Sequence, residues 1–242
     1  MATNKHATIR YHALDRCFSD YGGRSFKSFL RKGVILLVFL GSISSAYGQI
    51  NKERNIFWYI PSPDTRINGI AIGPMIQSLE LDFDTNLNTV VNGISFEIIG
   101  LGLLLPIAPS SPIYDEDDEF YKDKNNLDSL VKSYSHPKYL INGLAISPGG
   151  VAGYDVYVNG LNLSGLNTFT GKMNGVSLCL MFNISGVVNG VSIGGIGNNS
   201  IQTKGLQIGV FNKTKRLRGF QIGLWNVNNK RSLPLINWNF KD

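Results

Sequence analysis

Hydrophobic and polar residues alternate along most of the chain after residue 65. Near Gly205, for example, Leu206, Ile208 and Val210 are separated by Gln207 and by a glycine. Alternation over five to seven residues, with turn residues on both sides, predicts short β-strands that each bury one face. We therefore expect the apolar positions of each strand to form its buried face.

The alternating segments are copies of one sequence repeat, and the copies can be aligned on a shared glycine. The clearest copies, GLQIGVFN from Gly205 and GFQIGLWN from Gly219, begin fourteen residues apart. Six copies follow one another at steps of 14 to 17 residues, and two earlier copies are more widely separated. Together they predict an array of about eight units, aligned on Gly69, Gly93, Gly143, Gly160, Gly175, Gly190, Gly205 and Gly219.

The same amino acid recurs at equivalent positions of the repeat, and not merely a residue of the same polarity. This recurrence helps to decide whether the strands are parallel or antiparallel. Gln207 recurs as Gln221, and Asn212 recurs as Asn226. In parallel coils stacked in register, like residues lie on one another and form side-chain ladders, with the glycines at the corners. The sequence therefore predicts an all-β solenoid or β-roll of about eight short coils. The alternative is an antiparallel β-meander or barrel, in which equivalent positions do not face one another.

The N-terminal 48 residues have the layout of an export signal. Lys27, Arg31 and Lys32 precede an apolar core from Val34 to Leu40, and Ala-Tyr-Gly at residues 46–48 forms a small-residue cleavage site. This core is too short to span a bilayer of about 30 Å as a helix. We interpret residues 1–48 as an N-terminal extension with a secretory signal peptide and expect the mature chain to be exported.

Residues 49–242 are predicted to form a single β-repeat domain with two departures from the repeat. An insertion at 104–138 begins with three prolines, at 106, 109 and 112, and continues with an acidic run, followed by Leu127, Leu130, Val131 and Tyr134 at helical spacing. The segment 230–242 leaves the period and contains Pro234, so it is expected to cap the last coil. Cys179 is the only cysteine after residue 48, so the domain forms no internal disulfide.

Charge is segregated along the chain. Residues 49–140 carry seven basic and thirteen acidic groups, whereas residues 141–242 carry nine basic and two acidic groups. The candidate binding surface joins the basic cluster to two aromatic residues of the repeat: Lys213, Lys215, Arg216, Arg218, Phe211 and Trp225. Such a cluster attracts anionic polymers or lipid headgroups, and an aromatic pair suits a sugar. Export removes nucleic acid from the possible partners, which leaves an envelope polymer, a glycan or another surface protein.

Candidate catalytic and metal motifs are weak. Residues 190–194 match the G-x-S-x-G pattern around Ser192, but this serine holds the repeat position of Ser177 and Gln207, and no histidine follows it. His136 stands alone after the leader, and the acidic residues at 115–123 lack the glycine and glutamate spacing of an EF-hand. We therefore expect no catalytic residues, no metal site and no cofactor.

The copies at Gly205 and Gly219 resemble the unit of bacterial surface repeat-containing proteins, which are arrays of G-[LFV]-Q-[IL]-[GA]-x-x-N. The ending LPLINWNF is also similar to endings of Bacteroidota members. The resemblance is specific for residues 173–240 and fainter for 67–172. It implies a protein of the periplasm, outer membrane or surface of a Gram-negative bacterium, and it brings no activity or cofactor. The leading hypothesis is a non-enzymatic envelope scaffold; the alternative is an integral outer-membrane β-barrel protein.

Overall fold

The computed structural model describes residues 52–76, 89–103, 124–133 and 137–240. The predicted signal peptide, the acidic run of the insertion and His136 lie outside these residues. The described residues form ten strands and one helix. The strands are β1 Lys52–Tyr59, β2 Thr65–Gly73, β3 Thr89–Glu97, β4 Tyr139–Ser147, β5 Ala152–Ser164, β6 Thr168–Cys179, β7 Phe182–Gly194, β8 Gly197–Ile208, β9 Phe211–Val227 and β10 Ser232–Asn239, and the helix is α1 Lys124–Ser133.

The strands form a β-solenoid in which each coil lies on the next. The sheet follows the chain from β1 to β10, and every pair from β1 to β9 is parallel and in register. The eight repeat glycines are Cα partners of one another in a continuous column from Gly69 to Gly219. The predicted solenoid is therefore confirmed, and the antiparallel meander or barrel is not the fold of these strands.

The repeat glycines lie at a corner of each coil from β2 to β9. Gly175 has a φ of 129°, and a Cβ placed there would lie 2.0 Å from the carbonyl oxygen of Gly160 in the preceding coil. The corner thus combines a backbone conformation that L-residues avoid with close approach of the neighbouring main chain. It also separates two short strand segments that face different sides of the coil.

The buried and exposed faces of the repeated strand are the reverse of the sequence-based expectation. Gln207 is fully buried, whereas its neighbours Leu206 and Ile208 face outward and are only partly covered. The expectation was wrong because it assigned the inside to the apolar positions of the alternation. The apolar core comes mainly from another column, two residues before the glycines, which contains Ile67, Val91, Ile141, Val158, Met173, Val188 and Leu217, with the polar Thr203 between the last two.

The polar interior is stable because its amides and hydroxyls bond to one another along the stack. Gln221 Nε2 donates to Gln207 Oε1 at 2.8 Å, and Asn237 Nδ2 donates to Gln221 Oε1 at 3.1 Å. Asn212 Nδ2 donates to Asn226 Oδ1 at 2.8 Å in a second buried column. Buried polar groups are tolerated when they are paired in this way. The predicted glutamine and asparagine ladders are thus present, inside the coils.

The two ends of the stack are closed differently. At the first coil Trp58 packs against the hydrophobic core and donates its indole N–H to Ser62 Oγ at 3.0 Å. At the other end β10 runs antiparallel to β9, with a register shift between Leu233 and Leu235 around Pro234. A proline fits this terminal strand because it has no N–H to donate to a further neighbour.

Helix α1 covers part of the solenoid wall. Leu127 is buried, and Val131 packs against Tyr157 and Val187, which belong to the outward column three residues before the glycines. At the same side Arg216 Nη1 and Asp128 Oδ1 lie 2.6 Å apart. The helix is ten residues long, and the described part of the chain holds no helix long and apolar enough to span a bilayer.

Candidate functional site

The largest regular surface of the solenoid is a pair of apolar rows. Each of the ten strands contributes one residue to each row, and the strand register aligns them. The first row is Phe57, Ile70, Ile94, Leu144, Leu161, Val176, Val191, Leu206, Phe220 and Trp238. The second row is Tyr59, Ile72, Phe96, Ile146, Leu163, Leu178, Ile193, Ile208, Ile222 and Ile236. We call this surface the two-row apolar face.

The rows point outward because the residue between them points inward in every strand. In β9, Gln221 is fully buried while Phe220 and Ile222 are 46% and 43% exposed. In β2, Ala71 is fully buried and Ile70 is 41% exposed. Members from the middle of the rows are half-buried, since in-register neighbours about 4.8 Å away cover their flanks. Every outward position of the two rows is therefore apolar, and none carries a charge.

A column of asparagines borders the first row along seven coils. It consists of Asn55, Asn68, Asn92, Asn142, Asn159, Asn174 and Asn189, whose side-chain amides bond successively at donor–acceptor distances of 2.6 to 3.1 Å. The next two members of the column are the exposed residues Lys204 and Arg218. At the first coil Glu53 Oε1 also accepts from Asn68 Nδ2 at 2.8 Å. The long border is thus neutral and rigid, with cationic residues at one end.

The dimensions of the face follow from strand geometry. Nine steps of about 4.8 Å make the rows roughly 43 Å long, and four residues at about 3.3 Å make the face roughly 13 Å wide. The flat area is on the order of 560 Å², the upper end of the largest apolar patches of soluble monomers. Patches of this size usually mark a contact surface.

The structure places the predicted basic residues in different columns of β9. Lys213 aligns with Asn199, Arg216 aligns with Gln202, and Arg218 aligns with Lys204. These are three different columns of the coil, and Arg216 is engaged with Asp128 of α1. Lys215 lies between the first two columns, next to Arg216. Only Arg218 borders the two-row apolar face.

The predicted aromatic pair lies near the two ends of β9. Phe211 is half-buried, and Trp225, one coil later, is 43% exposed. The ring contacts of the described residues join Phe220 to Phe240, with centroids 5.0 Å apart, and do not join Phe211 to Trp225. The aromatic contact at the C-terminal end therefore adjoins the two-row apolar face.

Ser192 is an interior ladder residue. It is 2% exposed, and its hydroxyl donates to Asn198 Oδ1 at 2.7 Å. Its place in the polar column beside Ser177 and Gln207 agrees with the architectural role expected from the repeat. A nucleophile must be reachable by substrate, and this hydroxyl is enclosed by the coil.

Two buried titratable groups have strongly shifted pKa values. Burial raises the pKa of Glu97 to about 8, against smaller opposing effects of the Ser147 hydroxyl and the Ile76 backbone. Glu97 is 1% exposed, and its Oε1 has no hydrogen-bond partner among the residues that the structure describes. Burial also raises the pKa of the Cys179 thiol to about 12. Within the described ranges no group of three or more His, Cys, Asp or Glu residues is placed to hold a metal ion.

Sequence reasoning missed the two-row apolar face, although a signal for it was present. The positions one and three residues after each repeat glycine are apolar in all eight copies, whereas the position between them varies among Ala, Ser, Asn and Gln. It also missed a ninth coil at β1, because Ile56 takes the glycine position there. The neighbouring Asn55 and the alternation of Phe57 and Tyr59 were available as signals.

Comparison with known proteins identifies no relative. No protein-family model matches the chain, and the searches of curated proteins and of solved structures found no match. The resemblance of the repeat to bacterial surface proteins therefore stays a prediction from its motif.

Proposed function

We propose that the mature chain is a non-enzymatic, exported cell-envelope protein that acts as a binding scaffold through its two-row apolar face. The observation that carries this proposal is the uniformity of the face: twenty outward apolar side chains occupy both rows of all ten strands. Leaving these side chains in water is unfavourable by about 25 cal/mol per Å² of apolar area. A sequence that keeps them outward along all ten strands gains from covering them.

The location rests on the predicted signal peptide and on the resemblance to surface repeat proteins. A basic flank, a seven-residue apolar core and a small-residue cleavage site favour export. The integral outer-membrane barrel is less well supported, because a membrane barrel closes antiparallel strands and β1 to β9 pair in parallel. We therefore place the scaffold on or beside a membrane and not through it.

The non-enzymatic part of the proposal is supported by where the reactive side chains lie. Ser192 is buried in the coil and bonded to Asn198, and Cys179 is a buried thiol whose raised pKa keeps it protonated. Both groups are enclosed in the stack. Binding at an extended surface needs neither of them.

Fractionation of the producing cells combined with cross-linking tests this function. We expect the chain outside the cytoplasm, with an N-terminus at Gln49, and cross-linked adducts of it in intact cells. Val176→Glu, in the middle of the first row, should abolish the adducts. Leu180→Glu, on the 70% exposed turn residue of the same coil, should leave them unchanged. A cytoplasmic, uncleaved chain, or adducts unaffected by Val176→Glu, would contradict the proposal.

A further inference from the structure

We infer that the two-row apolar face is covered by the same face of a second copy of this chain, giving a two-fold dimer with the two sheets packed on each other. The inference rests on the proposed function, since it names the partner of the docking surface proposed there. Three observations carry it: the area of the face, its uncharged surface and its neutral border.

The area of the face meets the requirement of a stable dimer. Two flat faces of roughly 560 Å² bury about 1,100 Å² in total, and specific interfaces need about 1,000 Å² or more. The pair of faces is therefore large enough without any contribution from other parts of the molecule.

The form of the face suits another sheet. Its side chains stand in two straight columns with the spacing of the strands, and sheets with such faces pack about 10 Å apart with interdigitated side chains. Identical columns share the same spacing along their whole length, as in dry zipper interfaces between paired sheets. A second copy therefore supplies a matching set of ridges along the full length of the rows.

The charges around the face favour a protein partner over a lipid surface. Peripheral membrane proteins combine an apolar face with basic residues that meet anionic headgroups. Here the border of the first row is the neutral asparagine column over seven coils, and its two cations, Lys204 and Arg218, stand at one end only. At the opposite end Glu53 is the Cα partner of the exposed Arg66 in the next strand, so this end carries no acidic patch. An antiparallel arrangement puts Lys204 and Arg218 of the two copies at opposite ends of the interface and so avoids repulsion between them.

In a two-fold dimer, the residues in the middle of the rows contact the same residues of the second copy. An isologous interface pairs each residue with its symmetry counterpart across the axis. The centre of the ten-strand stack lies between Leu161 and Val176. At the ends, Phe57 of one copy lies near Trp238 of the other. Val176 is therefore the position where a charge from each copy is brought closest together.

Light scattering of the exported chain, recovered without detergent and measured over a range of concentrations, tests the inference. We expect a dimer for the unaltered chain and for Leu180→Glu. Val176→Glu should weaken dimerisation by at least ~100-fold, because two carboxylates would be desolvated side by side. Circular dichroism should confirm that both variants keep the β-fold. A monomeric unaltered chain, or a dimer unaffected by Val176→Glu, overturns the inference.

A cross-link provides a second readout that does not depend on destabilising the dimer. Val176→Cys should couple to its own copy through a short bismaleimide, while Leu180→Cys and the buried native Cys179 should not. Flotation with vesicles of neutral and anionic phospholipid distinguishes the alternative. A monomer that floats through the face would refute the second copy and keep the proposed docking function. A monomer that neither floats nor forms face-dependent adducts in cells would refute both.

Discussion

Gln221 donates its side-chain N–H to the side-chain carbonyl of Gln207 at 2.8 Å, and both residues are fully buried. The two amides occupy the same position in successive coils, so the stacking of one coil on the next satisfies them. The apolar residues on either side of each glutamine face outward. The repeat thus has a polar interior on this side of the coil and an apolar exterior.

Replacing Gln221 by leucine should destabilise the fold although it increases hydrophobicity. The change leaves Gln207 Oε1 without its donor and removes an acceptor of Asn237. Each buried polar group that loses its hydrogen-bond partner costs ~1–3 kcal/mol. We expect a loss of roughly 2–3 kcal/mol, measured by urea unfolding. The matched control is Ile222→Gln on the outer row, which should change the free energy of unfolding by less than ~1 kcal/mol. A larger loss of unfolding free energy for Ile222→Gln than for Gln221→Leu would show that Ile222, and not Gln221, is the buried residue.

Replacing Gly175 by alanine should be among the most damaging single substitutions. The alanine would need a φ of 129°, and its Cβ would lie 2.0 Å from the carbonyl oxygen of Gly160. We expect a loss of roughly 3 kcal/mol or more, by thermal or urea unfolding. The reciprocal change Ile56→Gly, at the corner of the first strand, should be neutral within ~1 kcal/mol because the wild-type φ of 78° already suits glycine. If the two substitutions changed the free energy of unfolding by nearly equal amounts, the positive φ and the close main chain at Gly175 would not be what requires glycine there.

Stability should fall as the pH rises through the range in which Glu97 ionises. Its pKa is raised from 4.5 to about 8 in the folded state, so the folded protein holds a proton that the unfolded chain releases. The contribution of this group is fully present below about pH 4.5 and is lost by about pH 8, at up to ~1.4 kcal/mol per pH unit. We expect Glu97→Gln to remove this slope and to be more stable than the wild type at pH 8.5. Parallel stability profiles of the two proteins from pH 5 to 8.5 would contradict this.

Helix α1 should be held by packing and hardly at all by its ion pair. Asp128 is half exposed, and surface pairs contribute about 0–1 kcal/mol. Asp128→Asn should therefore leave protease cleavage within the insertion unchanged. Leu127 is buried, and Leu127→Asp should release the helix and accelerate that cleavage several-fold. Faster cleavage of Asp128→Asn than of Leu127→Asp would show that the ion pair dominates.

The solenoid could be predicted from the sequence because identical residues recur at equivalent positions of the repeat. The recurrence of Gln207 as Gln221, and of the glycines, favours coils stacked in register over antiparallel strands, and the structure contains those columns. Helical spacing in the insertion also located α1, since an amphipathic pattern depends on local geometry.

The orientation of the strands was not predictable from alternation alone. A period of two fixes which residues share a face, but not which face is inside. The usual assignment places Leu206 and Ile208 inside, and it fails here because a stack of coils can pair buried amides with their copies in the next coil. That pairing exists only after the register is formed. The two-row apolar face was missed for the same reason.

The most direct test of the central claim measures which side of one strand is accessible. Val191→Cys, Ser192→Cys and Ile193→Cys, each made in the Val176→Glu background to keep the face uncovered, would be labelled with a maleimide under native conditions. The account predicts rapid labelling at positions 191 and 193, and slow labelling at 192, comparable with the buried native Cys179. Rapid labelling at 192 with protection of 191 and 193 would place the apolar rows in the core and contradict the account.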